Sequence, residues 1–147
     1  MKKSMNSKFL IDTNIYIDFI NTNKYREWVF VRDYPTRLFL SAIVLMELYA
    51  GAHNRSDIKL VDTIKEPFAK RNMIIAPTIG DYITAGEILA DLQKLRGYEL
   101  KKSYWLTNDV LIALSARRIG ATVVTQNRRD FEEIQQIKGF SLQLVAY

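Results

Sequence analysis

Lys8-Phe9-Leu10-Ile11-Asp12-Thr13-Asn14 is the stretch on which the reading of the fold turns. Four residues suited to a buried strand end in a carboxylate, two short polar residues follow, and an apolar-rich run with helical spacing comes next. In an open parallel sheet, ligands and chemistry collect outside the carboxyl ends of the strands. An acid in that place is a functional group on a rigid support. Asp, Thr and Asn are also good helix N-caps, so Asp12 alone reads equally well as the cap of the next helix.

Working outward, Phe9 to Ile11 is the first strand and Ile15 to Ile20 the first short helix, with Asn21-Thr22-Asn23 as a turn. Residues 24–34 mix Tyr25, Trp28, Val29, Phe30 and Val31 with charges and predict a second helix, stopped by Pro35. Trp28, Phe30 and Phe39 read as core, because no ordered basic–aromatic pattern of a base-stacking platform surrounds them. Thr36 to Leu40 predicts a strand, and Ser41 caps a helix over Ala42 to Ala52. On that helix Glu47 shares a face with Ile43, Val44, Ala50 and Gly51. A buried glutamate is costly unless paired or bound to a cation, although one at a helix edge can turn to solvent. Gly51 leaves room for a neighbour or breaks the helix, and His53 after it reads as a surface residue.

Ser56 to Arg71 is helical in pattern, with a possible break at Pro67. Met73 to Ala76 predicts a short parallel strand ended by Pro77, and residues 79–96 a long helix stopped by Gly97. Glu87 and Asp91 on it are expected to be solvated charges. After the charged connection Glu99 to Lys102, Ser103 is a candidate cap. The run Trp105 to Leu114 is apolar enough to be a central helix on the sheet. Asp109 sits within it, beside Trp105, Leu106, Ile112, Ala113 and Ala116, and a short carboxylate there calls for a partner. Gly120 ends this helix. Ala121 to Thr125 returns as a strand, Gln126 to Asp130 as a polar loop, Phe131 as an anchor, and Phe140 to Val145 as a last strand.

The 147 residues, 48% of them hydrophobic, suit one domain spanning 1–147. No tract is long enough to span a bilayer. The basic N-terminal residues do not lead into a signal peptide, because Asp12 and Asn14 interrupt the apolar run. There is no cysteine and only one histidine. This excludes thiolate nucleophiles, cysteine zinc sites and sites needing several imidazoles, and it suits a cytoplasmic location. Short apolar strands separated by helices predict an α/β fold with a mostly parallel sheet covered on both faces. Right-handed crossovers bring the carboxyl ends of such strands to one edge. Asp12, Glu47, Asp109 and Asp130 can therefore meet in one crevice.

Leu10-Ile11-Asp12-Thr13-Asn14, Glu47-Leu48-Tyr49-Ala50-Gly51-Ala52, Asn108-Asp109-Val110-Leu111-Ile112-Ala113 and Val124-Thr125-Gln126-Asn127-Arg128-Arg129-Asp130-Phe131 occur in that order. Together they resemble the PIN-domain ribonuclease family, most of all the VapC-type toxins of toxin–antitoxin pairs. The resemblance covers Leu10 to about Phe131. It implies a three-layer α/β/α fold with a sheet of about five strands, Mg²⁺- or Mn²⁺-dependent cleavage of RNA, a homodimer, and a cognate protein antitoxin. The family's first three acids match Asp12, Glu47 and Asp109. Its variable fourth region here holds neutral Asn127 and then Asp130, so Asp130 either reaches the metal or joins Asn127 in ordering its water.

The chemistry suits these residues apart from the family. Clustered carboxylates raise one another's proton affinity unless a cation neutralises them. Oxygen-only ligands suit Mg²⁺ or Mn²⁺. Asp12 and Asp109 are the leading ligands, Glu47 binds metal or orients its water, and Asp130 is the fourth candidate. Thr13, Thr125 and Asn127 are candidates to hold the acids or the substrate. One-metal and two-metal routes both remain open.

The formal charge is +5, from 21 basic and 16 acidic residues. Setting the four acids aside leaves 12 acidic against 21 basic residues, a surplus of nine around the proposed pocket. Arg117-Arg118 and Arg128-Arg129, then Lys101-Lys102, are the candidates to meet RNA phosphates. A flexible, single-stranded or looped RNA is the expected substrate. The aromatic stretch around Tyr25, Trp28 and Phe30 is either core or an interaction surface, and an antitoxin segment is expected to cover the acidic groove with an arginine. Two other classes use similar residues: a structure-specific DNA nuclease, and a non-catalytic acidic-pocket regulatory domain. The first lacks an obvious clamp in this short chain, and the second does not require Glu47 and Asp109 to meet Asp12.

Overall fold

In the structure, a computed structural model that describes residues 7–30, 37–101 and 104–146, Phe9, Leu10 and Ile11 are at most 1% exposed. They belong to β1 (Lys8–Ile11), which lies between β2 (Arg37–Ser41) and β4 (Thr122–Thr125). β3 (Ile74–Ile75) and β5 (Ser141–Leu144) flank these, giving the order β3-β2-β1-β4-β5 with all pairings parallel. Leu10 stands opposite Phe39 on one side and Val123 on the other. A strand enclosed on both edges and both faces has no solvent face to alternate with, so β1 is an unbroken apolar run.

The helices are α1 (Thr13–Thr22), α2 (Arg26–Val29), α3 (Ala42–Ala50), α4 (Arg55–Lys70), α5 (Ile79–Arg96), α6 (Trp105–Ile119) and α7 (Arg128–Ile137). This five-stranded parallel sheet with its helices is the α/β/α architecture expected from the sequence. One apolar cluster joins sheet and helices through Phe9, Tyr16, Leu40, Leu106, Ile112 and Phe131. Phe9 meets Trp28 edge-on at 5.5 Å. Tyr25 is buried, and Trp28 and Phe30 pack against the core cluster. The aromatic stretch is therefore core packing before it is anything else.

Several local expectations shift. The first helix starts at Thr13 rather than Ile15, because the Asp12 side chain accepts a hydrogen bond from Thr13 N and caps it. The second helix is only Arg26–Val29, entered through Tyr25 at φ 59°, a left-handed conformation that interrupts a longer helix. Residues 31–34 of the expected helix, Pro35 and Thr36 lie outside the described residues, as does the expected cap Ser103. α4 runs through Pro67 to Lys70. Pro67 stands only three residues from the end, where a missing donor interrupts less helix than it would in the middle. α3 stops at Ala50, and Gly51 sits at an ordinary φ of −88°. The expected polar loop at 126–130 is the start of α7, with Asn127 as its cap.

The chain lays β2 and β3 on one side of β1 and then returns to place β4 and β5 on the other. The strand order therefore reverses between β1 and β4, the place where open α/β sheets form a crevice. Asp12 N donates to Val124 O at 2.9 Å, carrying the ladder one residue beyond β1. Asp12 and the end of β4 thus lie together at that switch point.

Candidate active site

Asp12 is 4% exposed and both of its carboxylate oxygens are engaged. Oδ1 accepts from Thr13 N at 2.8 Å and Oδ2 accepts from Thr125 Oγ1 at 2.6 Å. Burial raises its pKa from 3.8 to about 6, the Glu47 charge adds to this, and the two hydrogen bonds oppose it. Thr13 links two acids, because its hydroxyl donates to Glu47 Oε1 at 2.7 Å while its backbone serves Asp12. Glu47 arrives from α3, whose N-terminus is fixed by Ser41 Oγ accepting from Ile43 N and Val44 N.

Asp109 comes from the first turns of α6, whose residues 109–116 are all buried. Burial is the largest cause of its upward shift from 3.8 to about 9, followed by the charges of Asp12, Asp130 and Glu47. A hydrogen bond from Asn127 Nδ2 at 3.2 Å opposes the shift. The same amide nitrogen donates to Asp130 Oδ2 at 3.1 Å, so Asn127 bridges the two acids. Asp130 is also held by Tyr98, whose hydroxyl donates to Oδ1 at 2.9 Å, and by Trp105 Nε1, which donates to Oδ2 at 3.1 Å.

The structure therefore brings Asp12, Glu47, Asp109 and Asp130 to the carboxyl edge of the sheet, with Thr13, Thr125 and Asn127 joining them. Thr125 is completely buried at the hub. Its Oγ1 donates to Asp12 and accepts from Asn127 N at 3.0 Å and from Asn14 Nδ2 at 3.4 Å. Asn14, Tyr98 and Trp105 are site residues that the sequence reading did not single out. Trp105 had a usable signal, since it precedes Asp109 by four residues on one helix and so shares its face. Asn14 stands in the first turn after Asp12. Tyr98 follows the α5 C-cap Gly97 and carries no sequence signal for this role.

Among the described residues, no group of three or more His, Cys, Asp or Glu side chains stands arranged to hold a metal ion. The carboxylates are turned onto hydrogen-bond donors instead. The donor set nonetheless fits a hard divalent cation in its chemistry, being oxygen throughout. A buried acid raised by three neighbouring carboxylates is what a cation would relieve. Asn14 Oδ1 is a further buried oxygen without a hydrogen-bond partner. Asp130 fits the ion less well than the others, because three donors already occupy its two oxygens.

The basic pairs divide. Arg117 and Arg118 lie eight and nine residues beyond Asp109 on α6, about 12–14 Å along its axis. Arg117 Nε donates to Gly139 O, and Arg118 pairs with Asp81 at 3.0 Å. They serve packing at the far end of the helix rather than the acidic site. Arg128 pairs with Glu132 at 3.1 Å. Arg129 lies beside the acids, its guanidinium 5.8 Å from the Tyr98 ring centroid. Lys101 is exposed, Lys102 lies outside the described residues, and His53 is exposed.

The fold is similar to solved structures of VapBC assemblies. VapBC-1 from nontypeable Haemophilus influenzae shares 24% identity over 93% of this chain and 97% of that one, with a TM-score of 0.68. A DNA-bound VapBC from Salmonella typhimurium shares 29% identity over 93% and 97%, with a TM-score of 0.67. VapBC2 from Rickettsia felis, bound to a promoter DNA fragment, shares 24% over 95% and 99%, with a TM-score of 0.66. No curated protein matches the chain significantly. The family model of the PIN domain matches residues 9–137, a span that contains all of β1 but its first residue, the switch point and all four acids, and the chain belongs to the PIN-domain family.

Proposed function

We propose that this protein is a metal-dependent endoribonuclease that hydrolyses RNA phosphodiester bonds, and that it is the toxin of a toxin–antitoxin pair. The observation that carries the reading is the buried Asp109, raised by Asp12, Asp130 and Glu47 drawn from remote parts of the chain. A structural role does not account for gathering four acids at one strand edge, where the charges of the other three add to burial in raising Asp109. Asp12 and Asp109 are assigned as leading ligands of Mg²⁺ or Mn²⁺, with Glu47 as a third ligand or as the group that orients water. When bound, such an ion polarises the phosphate and activates water.

The chain's own residues do the positioning. Thr125 and Thr13 hold Asp12 and Glu47 by hydrogen bonds, and Asn127 bridges Asp109 and Asp130 by donating to both. Asp130, saturated with donors, is assigned to hold Asn127, Tyr98 and Trp105 in place. Arg129 is the nearest of the expected phosphate contacts. The similarity to VapBC pairs supports a cognate antitoxin, and the proposal extends to an antitoxin segment over the acidic groove, a homodimer and a cytoplasmic setting. No helix of the described residues is long and apolar enough to cross a membrane.

The deciding experiment compares RNA and DNA cleavage with Mg²⁺, Mn²⁺ or EDTA, beside Asp12→Asn. RNA cleavage that EDTA and Asp12→Asn both abolish is the expected result. Preferential cutting of structured DNA would favour the DNA-nuclease class. Absence of any metal-dependent cleavage would favour a regulatory domain. Sedimentation of the isolated protein, and coexpression with the product of the neighbouring gene, test the dimer and the antitoxin.

A further inference from the structure

Beside Asp130 the surface opens into a trough of about 290 Å³, lined by Arg96, Tyr98, Trp105, Asn127, Arg129 and Asp130 among others. We propose that this trough seats an unpaired nucleotide flanking the scissile phosphate, with Trp105 stacking on the base and Arg129 meeting a phosphate. The inference rests on the ribonuclease reading above and names the part of the substrate that this side of the site recognises.

Tyr98 and Trp105 both spend their polar edges on one carboxylate, at 2.9 and 3.1 Å. The bond from the off-axis indole nitrogen restrains the Trp105 ring plane before any ligand arrives, and a restrained ring stacks at a lower entropic cost. Trp105 remains 42% exposed, and Tyr104, 77% exposed, meets it edge-on at 5.3 Å. Trp105 thus lines the trough with much of its ring open, and Tyr104 backs it edge-on from outside the trough lining. The trough also carries the carboxylates of Glu99 and Asp130, but an aromatic face with an arginine beside it is a means by which proteins hold single-stranded nucleic acid without reading its sequence.

The cations at the trough are unequal. Arg96 is bound to Glu133 at 2.8 Å and donates to Gln136. Arg129 makes no ion pair among the described residues and lies against the Tyr98 ring, which leaves its charge for a ligand. Continuity with the acids comes through Asn127, which lines the trough and donates to Asp109. A strand with one phosphate at Asp12 and Asp109 would pass its neighbouring nucleotide over Asn127 into the trough.

The test has two arms. In the first, the full chain in EDTA is titrated with 5′-AMP, ribose 5-phosphate and inorganic phosphate while tryptophan emission is followed. AMP is expected to quench the emission saturably and ribose 5-phosphate is not. Arg129→Ala, an exposed change that leaves the fold alone, is expected to weaken AMP about fivefold to tenfold, the range of one charge-assisted contact. Trp105→Phe should abolish the quench, because Trp28 is packed on Phe9. If AMP binds no better than ribose 5-phosphate, or Arg129→Ala leaves its affinity unchanged, the proposal is overturned.

In the second arm, a short RNA lacking the base beside the cleaved bond should raise KM about tenfold with wild-type protein, the worth of one stacked base. Trp105→Ala should be indifferent to that base, and equal sensitivity in both proteins would also overturn the proposal. The binding arm needs no catalysis. A chain that binds AMP as expected but cleaves no RNA would therefore refute the ribonuclease reading while leaving the nucleotide site standing.

Discussion

Asp109 stays protonated over most of the physiological range without a cation, with its pKa pushed up to about 9 by burial and three neighbouring carboxylates. Asp109→Asn keeps its size and removes only the charge that a hard cation would need. The variant is expected to stay folded by circular dichroism and to lose nearly all RNA cleavage at saturating substrate. Its melting temperature without metal should equal or exceed the wild type near pH 8, where holding the proton on the native carboxyl costs stability. Wild-type turnover in the folded variant would remove Asp109 from the mechanism. Tyr16 provides a separate test. It is fully buried, its hydroxyl has no hydrogen-bond partner, and burial pushes its pKa up. Tyr16→Phe discards an unsatisfied polar group and should stabilise the protein by about 1 kcal/mol in urea unfolding.

At the scale of elements, α7 joins stability to the site through its cap. Asn127 Oδ1 accepts from Asp130 N at 3.4 Å, while Nδ2 serves Asp109 and Asp130. α4 is capped by Asn54, whose side chain accepts from Asp57 N at 2.9 Å on the exposed surface. Each cap is worth about 1 kcal/mol, or roughly 3 °C in Tm for a chain of this size. Asn127→Ala and Asn54→Ala should therefore lower Tm similarly. Only Asn127→Ala should also impair cleavage, because it alone releases the acids. Equal activity in the two variants would reduce Asn127 to an ordinary cap.

At the scale of the molecule, proton binding by the acids should make metal-free stability depend on pH. Asp12 and Asp109 both have folded-state pKa values raised above 3.8, to about 6 and about 9. Their contribution is complete below about pH 4 and is lost as pH rises through those two values. The metal-free protein should therefore lose Tm between about pH 5 and pH 9. Mg²⁺ or Mn²⁺ should restore it more at pH 8 than at pH 6, because cation and protons compete for the same oxygens. A Tm gain from metal that is independent of pH would place the ion elsewhere.

Much of this was legible from the order of residues. The period and length of apolar runs predicted the parallel sheet, because doubly covered strands must be apolar throughout. The four acid blocks pointed to one edge, because right-handed crossovers leave few alternatives. Gly97 and Gly120 marked the ends of α5 and α6 and indeed take left-handed φ values of 70° and 71°. What depended on the third dimension was everything carried by side-chain direction and long-range contact. Asn127 bridging Asp109 across 18 residues, and Tyr98 and Trp105 converging on Asp130 across 32 and 25, leave no periodic trace. Nor did charge along the chain distinguish Arg117 and Arg118, spent at the far end of α6, from Arg129 beside the acids. Local sequence sets which groups an element can offer, but the packing of α5, α6 and α7 decides which of them meet.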